Sequence, residues 1–233
     1  MNTCEYVKEN YLDLIREVKR YEDLYGRSIT VVAVTKSGSD EELLTLVKAG
    51  AGDIAENRPT ELKRRAELLH ESGYSPRFHE IGNLQRNKVK LIIGEASLIH
   101  SVGKYELGEE ISRQATRLGI TVPVLIEINS AREPAKGGAM PEEAEDLYLK
   151  VRSLPGLSVR GIMTMGPALE DVEDMRPYFR LTKEIFDNIK KKHGFDGEGI
   201  LSMGMSNSYA VAIEEGSTLI RVGRKLFEKR RET

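Results

Sequence analysis

The sequence predicts a single-domain (β/α)8 barrel of the TIM type, an α/β fold, with one extra helix at its N-terminus. Three observations carry this expectation: eight short β-branched runs, helix punctuation between them, and the nearly continuous apolar character of runs such as ITVVAV, VPVLIEI and VRGIMTM. Parallel strands covered on their outer face by helices read as continuous apolar runs rather than alternating ones. Barrels of this kind close in about 250 residues, so a chain of 233 leaves none for a second domain. One domain is therefore expected over residues 1–233.

The leading helix is expected over 6–24, with Tyr6, Leu12, Leu14, Ile15 and Val18 as candidates for its apolar face. Strands are expected at 29–36, 53–57, 78–82, 98–102, 122–129, 159–165, 199–206 and 218–223, the second being short and polar. The connections read as helices. Ser39 with Glu42 three residues on makes a capping box, Pro141 followed by Glu142 and Glu143 is a helix start, and Gly216 suits a helix stop. Lys190, Lys191 and Lys192 close a long helix and favour its dipole, and Lys229, Arg230 and Arg231 read as a frayed tail.

Composition narrows the function classes. Thirty-five basic residues against 37 acidic give a net charge of −2, without the basic excess of a nucleic-acid binder. Charged residues reach 31% and mean hydropathy is −0.40, so no stretch approaches the roughly 20 apolar residues of a membrane span. Glu5, Lys8 and Glu9 interrupt the start of the chain, which does not read as a secretory signal, and a cytoplasmic protein is expected. The lone Cys4 has no internal disulfide partner and reads as a small side chain on the first helix. His70, His79, His100 and His193 show no metal-site spacing, so no metal is expected. Neither G-x-x-x-x-G-K-[ST] nor a strand-linked G-x-G-x-x-G is present, and no Ser-His-Asp order suggests itself.

Barrels of this type work at the C-terminal ends of their strands. The residues there are Thr35-Lys36, Glu56-Asn57, His79, Ser101, Asn129, Thr164-Met165, Met205-Ser206, and Arg221 before Gly223. A partly desolvated lysine has a lowered pKa, and its neutral amine can attack an aldehyde. Lys36 is placed for that role, although spacing alone also allows a solvated lysine at a strand end. Ser206 and Gly223 follow the seventh and eighth strands, where such barrels frequently bind phosphate through backbone N–H groups and a helix start. The plainer alternative has Ser206 capping a helix and Gly223 turning the chain. Taken together, Lys36 and this anion site suit an aldehyde-bearing phosphate, with Arg221 near its ring or salt-bridged inside the barrel top. His79 reads either as a ligand contact or as a satisfied polar residue.

These residues resemble the pyridoxal-phosphate homeostasis proteins of the YggS/PROSC type, whose barrel is like that of alanine racemase. The resemblance spans the chain and rests on Val34-Thr35-Lys36, Glu56-Asn57 with Glu61, His79 through Lys88, Leu201 through Ser206, and Gly216 through Gly223. It implies that pyridoxal 5′-phosphate (PLP) is held as an aldimine on Lys36, its phosphate by Ser206 and the amides of Gly223 and Arg224, its pyridine nitrogen facing Arg221. Asn57 and His79 would line the ring, with Met205 and Asn129 on the same wall. The sequence departs from the family pattern at Arg224, usually a small residue; at Arg58-Pro59-Thr60; at Asn83, usually proline; and at Ser208-Tyr209.

An arginine beside the pyridine nitrogen disfavours its protonation and weakens the cofactor as an electron sink. The second acid/base of alanine-racemase-like enzymes sits on another domain, which this chain lacks. The expectation is therefore a PLP-binding protein of PLP homeostasis with little or no amino-acid turnover and no catalytic residues, with PLP-dependent apoenzymes as candidate partners. The alternatives are a single-domain racemase using Tyr209 or His79 as second base, and a barrel binding a phosphorylated metabolite without an aldimine.

Overall fold

The computed structural model describes residues 4–229; Arg230 and Arg231 lie outside them. The first element, α1 (Glu5–Tyr25), buries Val7, Tyr11, Leu14 and Val18. These recur at alternating steps of four and three, which keeps one stripe of a helix facing the protein. Leu12 falls off that stripe and stays exposed, so the apolar face is rotated from the sequence expectation. Cys4 is buried immediately before the helix.

Eight strands follow: β1 (Thr30–Val34), β2 (Asp53–Glu56), β3 (Arg77–Glu80), β4 (Ala96–Val102), β5 (Val122–Ile128), β6 (Leu157–Thr164), β7 (Ile200–Ser202) and β8 (Leu219–Val222). They close in sequence order, all parallel, with β1 pairing β8. The helices between and after them are α2 (Asp40–Lys48), α3 (Pro59–Glu71), α4 (Tyr105–Leu118), α5 (Ala144–Arg152), α6 (Arg176–His193), α7 (Tyr209–Glu214) and α8 (Arg224–Phe227). The capping box of Ser39 and Glu42 starts α2. Pro141 opens a short 3₁₀ turn that leads into α5. Gly216, at φ 101°, follows the end of α7.

One connection and one strand depart from expectation. The connection between β3 and β4 is a single 3₁₀ helix, Arg86–Leu91, which buries only Val89, because a six-residue basic segment has no apolar stripe to pack. β7 ends at Ser202, although the Met203 N–H still donates to the Leu219 carbonyl at 3.1 Å and the Gly204 carbonyl, at a residue of left-handed φ 92°, accepts from the Arg221 N–H at 3.0 Å.

Alternation along each strand divides the apolar side chains into two cores. Val32, Val34, Ala55, Leu98, Leu125, Met163 and Leu219 fill the barrel. Their neighbours Ala33, Ile54, Phe78, Ile99, Val124 and Ile220 pack outward against the helices. Among the described residues, no helix is long and apolar enough to cross a membrane.

Gly161, in β6, sets the closest approach in the sheet. Its φ is 152°, and a Cβ there would lie 1.9 Å from the Ile200 carbonyl oxygen. Gly161→Ala forces β6 and β7 apart or strains the backbone, at a cost of about 3 kcal/mol or more. A thermal melt followed by circular dichroism should show a midpoint lowered by roughly ten degrees.

Candidate cofactor site at the barrel mouth

Lys36 lies two residues beyond β1, in a turn closed by the Gly38 N–H donating to the Thr35 carbonyl at 2.8 Å. Val32 and Val34 point into the barrel, and Lys36, two further on, follows their parity and lies exposed at the mouth. Thr35 points the other way. Its hydroxyl donates to Glu56 at 2.5 Å. The buried guanidinium of Arg65, from α3, then clamps both ends of the turn, donating to the Thr35 carbonyl and the Gly38 carbonyl at 2.6 Å each and to Glu56 at 2.8 Å. On the other side, a Cβ at Gly38 would meet the Phe227 ring at 2.5 Å. The Lys36 turn is thus held between α3 and α8.

The strand pairing brings the other candidates alongside. Ala33 pairs with Val222, so Gly223 lies beside Val34, where a Cβ would come within 3.0 Å of the Val34 carbonyl oxygen. Val34 pairs with Ala55, which carries Asn57, exposed at the rim, next to Lys36. Ser206 is half-buried, and its hydroxyl accepts from the Gly223 N–H at 3.1 Å and the Lys225 N–H at 3.4 Å. Ser208, not Ser206, stands at the N-cap position of α7, and its hydroxyl accepts from the Met205 N–H at 3.2 Å. A hydroxyl and two backbone N–H groups converging beside Lys36 form a cradle for an oxyanion.

Arg221 is buried inside the barrel. Its guanidinium donates to Ser202 Oγ at 2.6 Å and to the Thr164 carbonyl at 2.9 Å. Burial lowers its pKa to about 10, with Glu127 working in the opposite direction, so it stays cationic at neutral pH. Glu127, two residues beyond inward-facing Leu125, is the nearby counter-charge; burial raises its carboxyl above the usual range and Arg221 pulls it back.

Two expected contacts fall differently. His79 does project into the barrel, but deep within it: its ring nitrogens bond His100 at 2.9 Å and Asp53 at 2.9 Å. This makes it a satisfied interior residue. Asn129 is buried, and its amide donates to the Glu133 carbonyl at 2.8 Å while its oxygen accepts from the Glu133 N–H at 3.1 Å. It therefore anchors the loop after β5 rather than the wall of the mouth. Met205 is half-buried beside Ser206, and Arg224 is exposed at the first position of α8. Sequence reasoning missed Arg65, Glu127, Ser202 and His100, which hold the residues it named.

With this geometry in place, the comparisons decide the family. The model of the alanine racemase N-terminal domain matches residues 13–230. A pyridoxal phosphate homeostasis protein of Aquifex aeolicus is 35% identical over 99% of this chain and 100% of its own length. Another, of Helicobacter pylori, is 31% identical over 93% and 96%. The chain belongs to the pyridoxal phosphate homeostasis proteins. A Bifidobacterium adolescentis protein shares the fold with TM-score 0.88 at 32% identity, covering 96% of this chain and 95% of its own. PipY of Synechococcus elongatus, solved with PLP bound, gives TM-score 0.81 at 23% identity over 95% and 100%. A Clostridium difficile alanine racemase gives 0.75 at 17%, with all of this chain matching 61% of that one.

The positions that depart from the family pattern have local structural roles. Pro59 is the first residue of α3 with Arg58 before it, which suits its fixed φ. Asn83 lines a cavity of about 1170 Å³ beside the mouth, with Arg86, Lys104 and Glu127. Tyr209 is buried, its hydroxyl bonded to Lys225, which also meets Glu17 at 2.8 Å. Burial raises the Tyr209 pKa to about 12.

Glu80 gives the mouth a pH-dependent support. It is fully buried, and its Oε1 accepts the Gly82 N–H at 2.9 Å, where the chain passes against the Asn57 carbonyl. Burial first, then Glu56, push its carboxyl up to about 7. A carboxyl raised on folding contributes stability in acid that is lost between its unfolded and folded values, here from about 4.5 to about 7. Glu80→Gln keeps the acceptor and removes the charge. Its thermal midpoint should exceed wild type by several degrees at pH 8, a gain on the order of 1–3 kcal/mol, and the gap should close by pH 5.

Proposed function

We propose that this protein holds PLP reversibly at the barrel mouth as a carrier in PLP homeostasis, with little or no amino-acid turnover. The observation that carries the reading is the convergence of the Ser206 hydroxyl with the Gly223 and Lys225 N–H groups, next to the braced Lys36 turn and above buried Arg221. Bound PLP supplies an aldehyde that condenses with a primary amine, and a pyridine ring that draws electrons from it. Lys36 provides the amine. Ser206, with the amides at Gly223 and Lys225, takes the phosphate, and exposed Arg224 adds a cation at that rim. Asn57 borders the ring beside Lys36, with Met205 next to Ser206.

Arg221, cationic at neutral pH, would lie on the pyridine side of bound PLP and would disfavour protonation of that nitrogen, which suits storage better than carbanion chemistry. Neither Tyr209 nor His79, the two candidates for a second acid/base, is free to serve the mouth. Tyr209 is tied to Lys225 and its pKa is raised to about 12, and both His79 nitrogens are engaged inside the barrel. The names of the curated relatives support the homeostasis role. In this reading residues 1–233 form one PLP-binding domain, the setting is cytoplasmic, and PLP-dependent apoenzymes receive the cofactor.

Titration with PLP, followed by visible absorbance, tests the proposal. Wild type should turn yellow, and borohydride should fix the label on the peptide containing Lys36. Lys36→Ala should stay colourless. Ser206→Ala should bind about tenfold more weakly, the loss of one charge-assisted hydrogen bond. Label on another lysine, or unchanged affinity in Ser206→Ala, contradicts the assignment.

A further inference from the structure

Five polar side chains run through the barrel interior in an unbroken hydrogen-bonded line: Arg221, Ser202, His100, His79 and Asp53. Arg221 Nη1 lies 2.6 Å from Ser202 Oγ. Ser202 Oγ is 3.1 Å from His100 Nδ1, His100 Nε2 is 2.9 Å from His79 Nδ1, and His79 Nε2 is 2.9 Å from Asp53 Oδ1. All five are buried. Beyond Asp53 the line reaches the surface at the opposite end of the barrel. There Arg77 grips the carboxylate with two hydrogen bonds of 2.6 Å, and Asp53 and Arg77 border a cavity of about 740 Å³.

Chemistry at the two ends fixes the outermost bonds, and the Ser202 proton orders those between. A guanidinium can only donate and an ionised carboxylate can only accept. Burial pushes the Asp53 carboxyl up, but bonds from His79 and Arg77 outweigh it and hold the pKa at about 2. Ser202 accepts from Arg221 and, with His100 Nδ1 as the remaining partner of its hydroxyl, gives its proton there. His100 then carries its proton on Nε2 and donates to His79 Nδ1, and His79 donates from Nε2 to Asp53. Ser202 is fully buried and already accepts from Arg221, so the line is not a nucleophilic triad.

We propose that Ser202, His100, His79 and Asp53 are positioning residues that fix the Arg221 guanidinium toward the mouth, so that a change at Asp53, at the far end of the barrel, is felt by a ligand at the pyridine side. This rests on PLP occupying the mouth as proposed above. Satisfied polar residues with no such role would affect stability alone.

Two measurements separate these cases. In the protein without PLP, nitrogen NMR of the histidines should show both rings protonated at Nε2, and Asp53→Asn, which removes the fixed acceptor, should shift the His100 signals two links away. With PLP, Asp53→Asn should move the visible absorbance maximum and speed cofactor loss about fivefold. Ser202→Ala cuts the line, so adding Asp53→Asn to it should produce no further spectral change, the pattern of coupled sites in a double-mutant cycle. Nδ1 protonation on either ring overturns the proposal. So does an Asp53→Asn variant that melts lower while its His100 signals, PLP spectrum and loss rate match wild type. Should wild type bind no PLP at all, the functional reading fails on its own, and the ring tautomers in the unloaded protein still decide whether the directional line exists.

Discussion

A guanidinium buried inside the barrel is the constraint around which the rest is arranged. Desolvating such a cation costs several kcal/mol unless hydrogen bonds and a counter-charge offset it. The protein supplies the Thr164 carbonyl, the Ser202 hydroxyl and the field of Glu127 to Arg221. Once Ser202 has accepted from Arg221, its own proton needs an acceptor, and the requirement passes through two imidazoles to a carboxylate. The barrel interior is therefore half apolar, with Val32, Ala55, Leu98 and Leu219, and half a polar spine. Removing one member leaves a buried group unsatisfied, a larger penalty than the bond itself is worth.

A second buried arginine plays the matching part outside the sheet. Arg65 is compensated by Glu56 and directs its two terminal nitrogens to the Thr35 and Gly38 carbonyls. Arg221 fixes the floor of the mouth and Arg65 fixes the turn that carries Lys36. Close backbone approach completes the frame, with Gly38 against Phe227 and Gly223 against Val34. The mouth is thus preorganised, and what it leaves exposed is Lys36, Asn57 and Arg224, groups suited to a ligand that arrives and leaves.

The sequence made the eight strands legible because parallel strands covered by helices have a strong apolar signature, and strand ends led directly to Lys36, Ser206 and Arg221. Parity and register were harder to read. Asp53, His79, His100 and Ser202 lie on four different strands, and only the pairing of the closed sheet brings them into one line. His79 could be placed at a strand end but not at a depth. Asn129 could not be distinguished from a wall residue, because its partner, the backbone of Glu133, belongs to an irregular loop. Glu127 left a signal that could have been used: a charged residue in an otherwise apolar strand, at the same parity as Leu125. Leu12 was misplaced because several apolar residues in α1 compete for the buried stripe and the helix surface alone does not choose among them.

The most direct test of the account is a crystal structure of the protein soaked with PLP. Continuous density from Lys36 Nζ, with the phosphate against Ser206 and Gly223 and the pyridine nitrogen toward Arg221, is the result it predicts. Density for the cofactor in the cavity lined by Asn83, Arg86 and Lys104, or a phosphate away from Ser206, would contradict it.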